Sequence, residues 1–213
     1  MVIPWTPWHL RYAACWRYGG DGMRNDLKNP SRGLAIAVIA VIAIGLGFFG
    51  DFVITCLEKQ AYPQGYAEYV TVYAEKYGVP ENLVYAVIRT ESDFESGAIS
   101  RVEAVGLMQI MPSTFKWLTN DVLFEHLNEG MLFDPETNIR YGTYYLSYLY
   151  DRYGDWELAL AAYNGGLGNV DKWLENDAYA DGEGGLKKIP FKETKHFVSR
   201  VSKAWEKYDK LYS

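Results

Sequence analysis

Glu91 is the residue whose type and setting could do chemistry. It ends a segment opening near Pro80, in which Val84, Val87 and Ile88 recur at helical spacing. Glu91 follows Val87 by four residues and Ile88 by three, so a helix would set its carboxyl on the apolar face. Burial disfavours the charged form and raises a carboxyl's pKa. An acid still protonated near neutral pH can donate to the departing oxygen of a glycosidic bond. The bland alternative is a glutamate at a fraying helix end, reaching for water.

Positioning such an acid takes a helical scaffold, and the sequence reads that way from residue 66 on. Tyr66, Tyr69, Val70, Tyr73 and Tyr77 follow a 3,4 spacing that Gly78 stops. Pro80 suits the start of the Glu91 helix, because a missing N–H costs nothing there. Asp134-Pro135 pairs an N-cap acid with a first-turn proline and opens a helix expected to end at Gly154. Asp155 starts another, running toward Gly165-Gly166. Residues 176–190 read as a loop, and Phe197, Val201, Ala204, Trp205 and Tyr208 mark a last helix. No strand alternation and no internal repeat interrupts this, so the fold class is predominantly α.

Composition removes several functions. The chain of 213 residues has a formal charge of −6; residues 1–33 are +3, which leaves −9 for residues 34–213. An acidic body without clustered Lys and Arg excludes a nucleic-acid partner. Two cysteines and three histidines make neither a disulfide framework nor a zinc site, and Glu125-His126 lacks a second histidine four residues away. That pair reads as solvated.

Residues 34–54 contain one charge, Asp51, and are long enough to span a bilayer as a helix. Arg11, Arg17, Arg24, Lys28 and Arg32 precede them, which places residues 1–33 in the cytoplasm and the remainder on the cell-wall side of the membrane. The exit Gly50-Asp51-Phe52-Val53 has no small-x-small cleavage site, so an uncleaved single-pass anchor is favoured over a signal peptide. Val53-Ile54-Thr55-Cys56 faintly resembles a lipoprotein box. Cys15 and Cys56 then fall on opposite sides of the bilayer, and Met23 offers an alternative start. The expected division is a tail over 1–33, an anchor over 34–54, a linker over 55–65 and a catalytic domain over 66–213.

Five blocks stand in order along that domain: Glu91-Ser92-x-Phe94 with Ser100; Ala104-x-Gly106-Leu107-Met108-Gln109-Ile110-Met111-Pro112; Asp134-Pro135-x-x-Asn138-Ile139-x-x-Gly142; Ala162-Tyr163-Asn164-Gly165-Gly166; and Pro190-Phe191-x-Glu193-Thr194. Together they resemble the catalytic domain of the soluble lytic transglycosylase family, which has a lysozyme-like fold. The resemblance covers about residues 66–211. It implies that Glu91 is the catalytic acid/base and that Ser92, Met108, Gln109, Tyr163, Asn164 and Glu193 line a sugar cleft. Gln109 and Asn164 would offer amide donors and acceptors, Tyr163 a ring face with a polar tip, and Gly106, Gly165 and Gly166 close approach to substrate. Competing structural roles are core for Met108, a C-cap for Asn164 and a helix-start acid for Glu193. Ser96, Glu103, Lys195 and Phe197 depart from the family's usual Pro, Gly, Arg and Tyr.

The implied reaction cleaves peptidoglycan glycan strands between N-acetylmuramic acid and N-acetylglucosamine and leaves a 1,6-anhydro end. One glutamate serves as acid and then as base, and no metal or cofactor is needed. A lysozyme-type hydrolase is the nearest alternative, with Asp93, Glu95 or Glu103 as a second carboxylate. A wall-binding scaffold is the alternative outside enzymes.

Overall fold

The computed structural model describes residues 30–213; most of the expected cytoplasmic tail, with Cys15 and Met23, lies outside them. The chain divides into two compact units, Met1–Leu57 and Glu58–Ser213.

The described part of the first unit is helical. Helix α1, Pro30–Ala61, carries Leu34, Ile36, Ile42, Leu46 and Phe49 exposed, and Ser31–Ala61 is long and apolar enough to cross a membrane. An apolar surface on every side is what a lipid-facing helix presents. The linker expected over 55–65 is helical as far as Ala61, because residues 55–61 contain neither proline nor glycine to stop the helix. Only the stretch around Pro63 and Gly65 is free of helix.

The second unit is built of helices around α3 (Glu81–Glu91). Before it comes α2 (Ala67–Tyr77), which Gly78 ends in a left-handed conformation at φ 67°. Six consecutive residues of α3, Leu83 to Ile88, have no exposed surface. The expected single stripe was therefore too narrow: α3 is buried on every side, as a helix crossing a core must be. At roughly 1.5–3 kcal/mol for each large apolar side chain, this burial dominates the unit's stability. Tyr85 stacks on Tyr208 at 5.6 Å between ring centres, which ties α3 to the last helix.

From α3 the chain runs through a non-helical segment, residues 92–111, to α4 (Pro112–Trp117), a π-helical turn and a 3-10 turn. Helix α5 (Pro135–Tyr153) follows. Its Asp134 cap accepts from the Thr137 N–H at 2.9 Å and the Thr137 hydroxyl at 2.7 Å. Asp155 caps α6 (Trp156–Gly165) through the Leu158 N–H at 2.9 Å, and α7 (Leu167–Leu174) comes next. The loop over 176–190 leads to α8 (Lys192–Tyr212), whose Phe197, Val198, Val201, Ala204 and Tyr208 face the core. Among the described residues the only β pairing is three isolated bridges.

Candidate active site

Glu91 is the last residue of α3 and is partly exposed. Burial pushes its carboxyl up to about 7; the nearby Arg200 guanidinium opposes that rise and the Glu193 carboxylate adds to it. The helix thus delivers an acid that holds its proton through much of the neutral range. Asp93, Glu95 and Glu103 are all exposed, and Glu103 is not among the charges that shift Glu91.

The wall beside Glu91 is the segment 92–111, and internal hydrogen bonds fix its shape. Ser92 turns its hydroxyl inward, to the Leu107 carbonyl at 2.7 Å and the Ile88 carbonyl at 3.2 Å. Its donor is therefore spent on the protein, and only its oxygen, as an acceptor, is left for a ligand. Ser100 accepts from the Ala104 N–H at 2.9 Å, and the Val105 and Ile110 backbones pair at 3.0 and 3.1 Å. Gln109, at φ 49°, donates its amide to the Gly106 carbonyl at 2.8 Å and the Ala98 carbonyl at 3.1 Å. Its carboxamide oxygen alone is left to meet a ligand.

Met108 does not line the cleft. Its side chain is fully buried against Gly142, and the Thr143 hydroxyl lies 3.9 Å from its sulfur. What Met108 offers is backbone. Its N–H donates to Asn138 at 2.7 Å and its carbonyl accepts from the Tyr163 hydroxyl at 2.7 Å. The hydroxyl hydrogen of Tyr163 is thereby committed to the fold, which leaves its oxygen as an acceptor. Burial foremost, with the Glu91 charge next, raises the Tyr163 hydroxyl well above the ordinary tyrosine value, so it stays a donor. Its ring lies 5.4 Å from Tyr145 and nearly parallel to Phe197 at 6.4 Å.

Asn164 sits inside α6, partly exposed and with no side-chain hydrogen bond among the described residues; the C-cap is Gly166. Glu193 is exposed in the first turn of α8. The expected close approach of substrate to Gly106 has an internal cause instead: a Cβ there would run into Asn138 and, at 2.6 Å, the Leu132 carbonyl. At Gly165 a Cβ would crowd Thr194 at 3.0 Å, while Gly166 is required by its φ of 86°.

Two residues of consequence lay beyond the sequence reading. Fully buried Asn138 bonds the Met108 N–H, the Val105 carbonyl at 2.9 Å and the Leu132 carbonyl at 2.8 Å, and so pins the wall to α5. Its place in the third sequence block was the available signal. Arg200 acts on Glu91 from α8, and nothing in the sequence marks it.

A partly buried acid at a helix end, a pinned wall carrying an amide, and a tyrosine in the acid's field go with a known domain. The family model described as the transglycosylase SLT domain matches residues 68–184. The chain belongs to this family. It is 38% identical over 149 residues to the soluble lytic murein transglycosylase of Escherichia coli K12, covering 67% of this chain and 23% of that protein. To the membrane-bound lytic murein transglycosylase C of Shigella sonnei it is 34% identical over 168 residues, covering 73% and 43%.

Among solved structures, the 70 kDa soluble lytic transglycosylase of Escherichia coli superposes with a TM-score of 0.65 at 35% identity, over 72% of this chain and 25% of that one. An inactive Glu-to-Gln mutant of the lytic transglycosylase Slt from Pseudomonas aeruginosa gives 0.63 at 32%, with the same coverage. The all-α SLT fold is thus shared, while the chain spans about a quarter of the length of these soluble relatives.

Proposed function

We propose that this SLT domain cleaves peptidoglycan glycan strands as a lytic transglycosylase, with Glu91 as its single acid/base. The observation that carries the reading is the raised carboxyl of Glu91 at the end of α3, in a family whose Pseudomonas aeruginosa relative is inactive as a Glu-to-Gln mutant. Protonated Glu91 donates to the oxygen linking N-acetylmuramic acid to N-acetylglucosamine, and that bond breaks. The muramic acid N-acetyl oxygen stabilises the cationic C1. The Glu91 carboxylate then takes the C6 hydroxyl proton as O6 bonds to C1, closing the 1,6-anhydro ring and restoring the acid. The Gln109 and Asn164 amides are assigned to the sugar substituents. No step calls on a metal or cofactor.

Hydrolysis on the same fold has one observation in its favour. The Glu193 charge reaches Glu91 and could orient a water. Mass spectrometry of peptidoglycan digested by the full chain decides between the two. Anhydro products, one water lighter than hydrolysis products and lost with Glu91→Gln, are expected. Reducing ends would make the protein a hydrolase. Binding without any Glu91-dependent product would make it a scaffold.

The proposal extends to placement. Residues 34–54 cross the membrane once, the basic tail over 1–33 stays in the cytoplasm, and the domain over 66–213 acts on the cell-wall side. Likeness to a relative named as membrane-bound and the apolar α1 support this reading. Protease protection of the tail in sealed right-side-out vesicles, with the domain digested, is the expected result.

A further inference from the structure

We infer that residues 62–65, between α1 and α2, form a clasp on the turn that follows Glu91, with Tyr62 and Gly65 as positioning residues for the acid. The inference rests on the glycan-cleaving reading for its kinetic consequence.

The stretch expected as a linker is fastened into the second unit. Glu58 pairs with Lys207, and the Lys59 ammonium lies 4.9 Å from the centre of the Tyr212 ring. The Tyr212 hydroxyl donates to the Tyr62 carbonyl and the Tyr208 hydroxyl to the Pro63 carbonyl, each at 2.8 Å. The Tyr62 ring meets Tyr208 edge-on, 5.5 Å between centres. Helix α8 thereby backs the clasp. These contacts fall outside residues 68–184, so the SLT match does not account for them.

The other side of the clasp grips both flanks of Glu91. Two residues before the acid, the Arg89 guanidinium lies 4.2 Å from the centre of the Tyr62 ring. Arg89 also pairs at 3.5 Å with Asp93, two residues after the acid. Three residues after it, Phe94 packs on Gly65, where a Cβ would stand 3.0 Å from the ring. The turn held in this way is strained. Asp93 and Phe94 are successive left-handed residues, at φ 51° and 67°, and neither is glycine. Such backbone persists only where its surroundings fix it. A guanidinium drawn to a ring face and a ring seated on a bare Cα do that fixing. Were the turn to open, water would reach Glu91, and burial, the largest cause of its raised carboxyl, would fade. The other groups in its field, Glu193 and Arg200 of α8 and Tyr163 of α6, are left unsubstituted in the test.

That test follows the Glu91 carboxyl in the full chain by carbon-13 NMR of glutamate-labelled protein, with Glu91→Gln to assign the signal. Tyr62→Leu is expected to lower the titration midpoint by about one pH unit as water enters. It should also cut kcat on soluble glycan strands about tenfold, with KM little changed. Tyr62→Phe keeps the ring face and should restore both. Gly65→Ala, a milder change that presses on Phe94, should move both in the same direction as Tyr62→Leu. Tyr150→Leu loses a ring stacked on Trp156 at 4.0 Å; it should lower the melting temperature and leave the midpoint in place. A midpoint unmoved by Tyr62→Leu and Gly65→Ala, or moved as far by Tyr150→Leu, overturns the inference. A midpoint that moves as expected, in a chain whose products do not depend on Glu91, overturns the cleavage reading alone.

Discussion

Glu193 and Arg200 lie seven residues apart on α8, about two turns, and push Glu91 in opposite directions. The carboxylate raises the Glu91 carboxyl and the guanidinium lowers it, both acting on top of the larger rise that burial causes.

That balance predicts a pH profile. Activity should fall on the alkaline side through about 7, as Glu91 loses the proton it must donate. Arg200→Gln removes the lowering influence and should move this limb to higher pH. Glu193→Gln removes the raising influence and should move it lower. Rates measured from pH 5 to 9 on one substrate check both signs, and equal shifts in one direction would sink the account.

Glu91→Gln should lower the rate about 10²–10⁴-fold, the range that general acid–base catalysis contributes. The same change should stabilise the fold, but only at higher pH. Below the ordinary value of 4.5 both folded and unfolded chains hold the proton and Glu91 costs nothing. Between 4.5 and about 7 the unfolded chain ionises first, so the folded state loses ground, by at most about 3 kcal/mol. Melting temperatures of the two proteins should therefore agree near pH 4 and separate, with Gln higher, at pH 8.

Asn138→Ala removes three buried hydrogen bonds and strands their backbone partners. A loss of about 3 kcal/mol or more is expected in chemical denaturation. Activity should fall in the fraction that stays folded, because the wall carrying Gln109 loses its tie to α5.

Glu103 occupies a left-handed backbone at φ 67°, which explains why glycine is usual there in the family. Glu103→Gly should stabilise the domain by about 0.5–1 kcal/mol without moving the pH profile, since Glu103 is exposed and does not act on Glu91. A profile that moved would show that the Glu103 charge does reach Glu91.

The helical frame was legible because its signals are local. Asp134, Asp155, Gly78 and Gly154 each stop or start a helix by their own chemistry, and each does so here. The spacing of Val87 and Ile88 turned Glu91 toward the core, where it is partly buried. What could not be read were directions set by distant partners. Ser92 and Gln109 have the right types for a sugar cleft, yet carbonyls of the same segment claim their donors. Met108 looked equally able to face either way, and the close approach of Gly142 decided for the core. Glu125 is exposed, as a solvated pair with His126 should be, yet it also holds Arg140 and accepts from the Tyr141 hydroxyl at 2.6 Å, a pairing across 16 positions that no local pattern encodes. The extra turns of α1 carry no local mark, since Pro63 and Gly65 break the chain only after Ala61.

The amide of Gln109 has both its hydrogens in use on Gly106 and Ala98. It therefore works as a one-way reader of hydrogen-bond polarity: a group that brings its own hydrogen can dock on the oxygen, and a bare acceptor at the same point finds only lone pairs facing lone pairs. A ligand laid along this wall in the reverse sense, with a carbonyl where an N–H should be, would be turned away there without any steric clash.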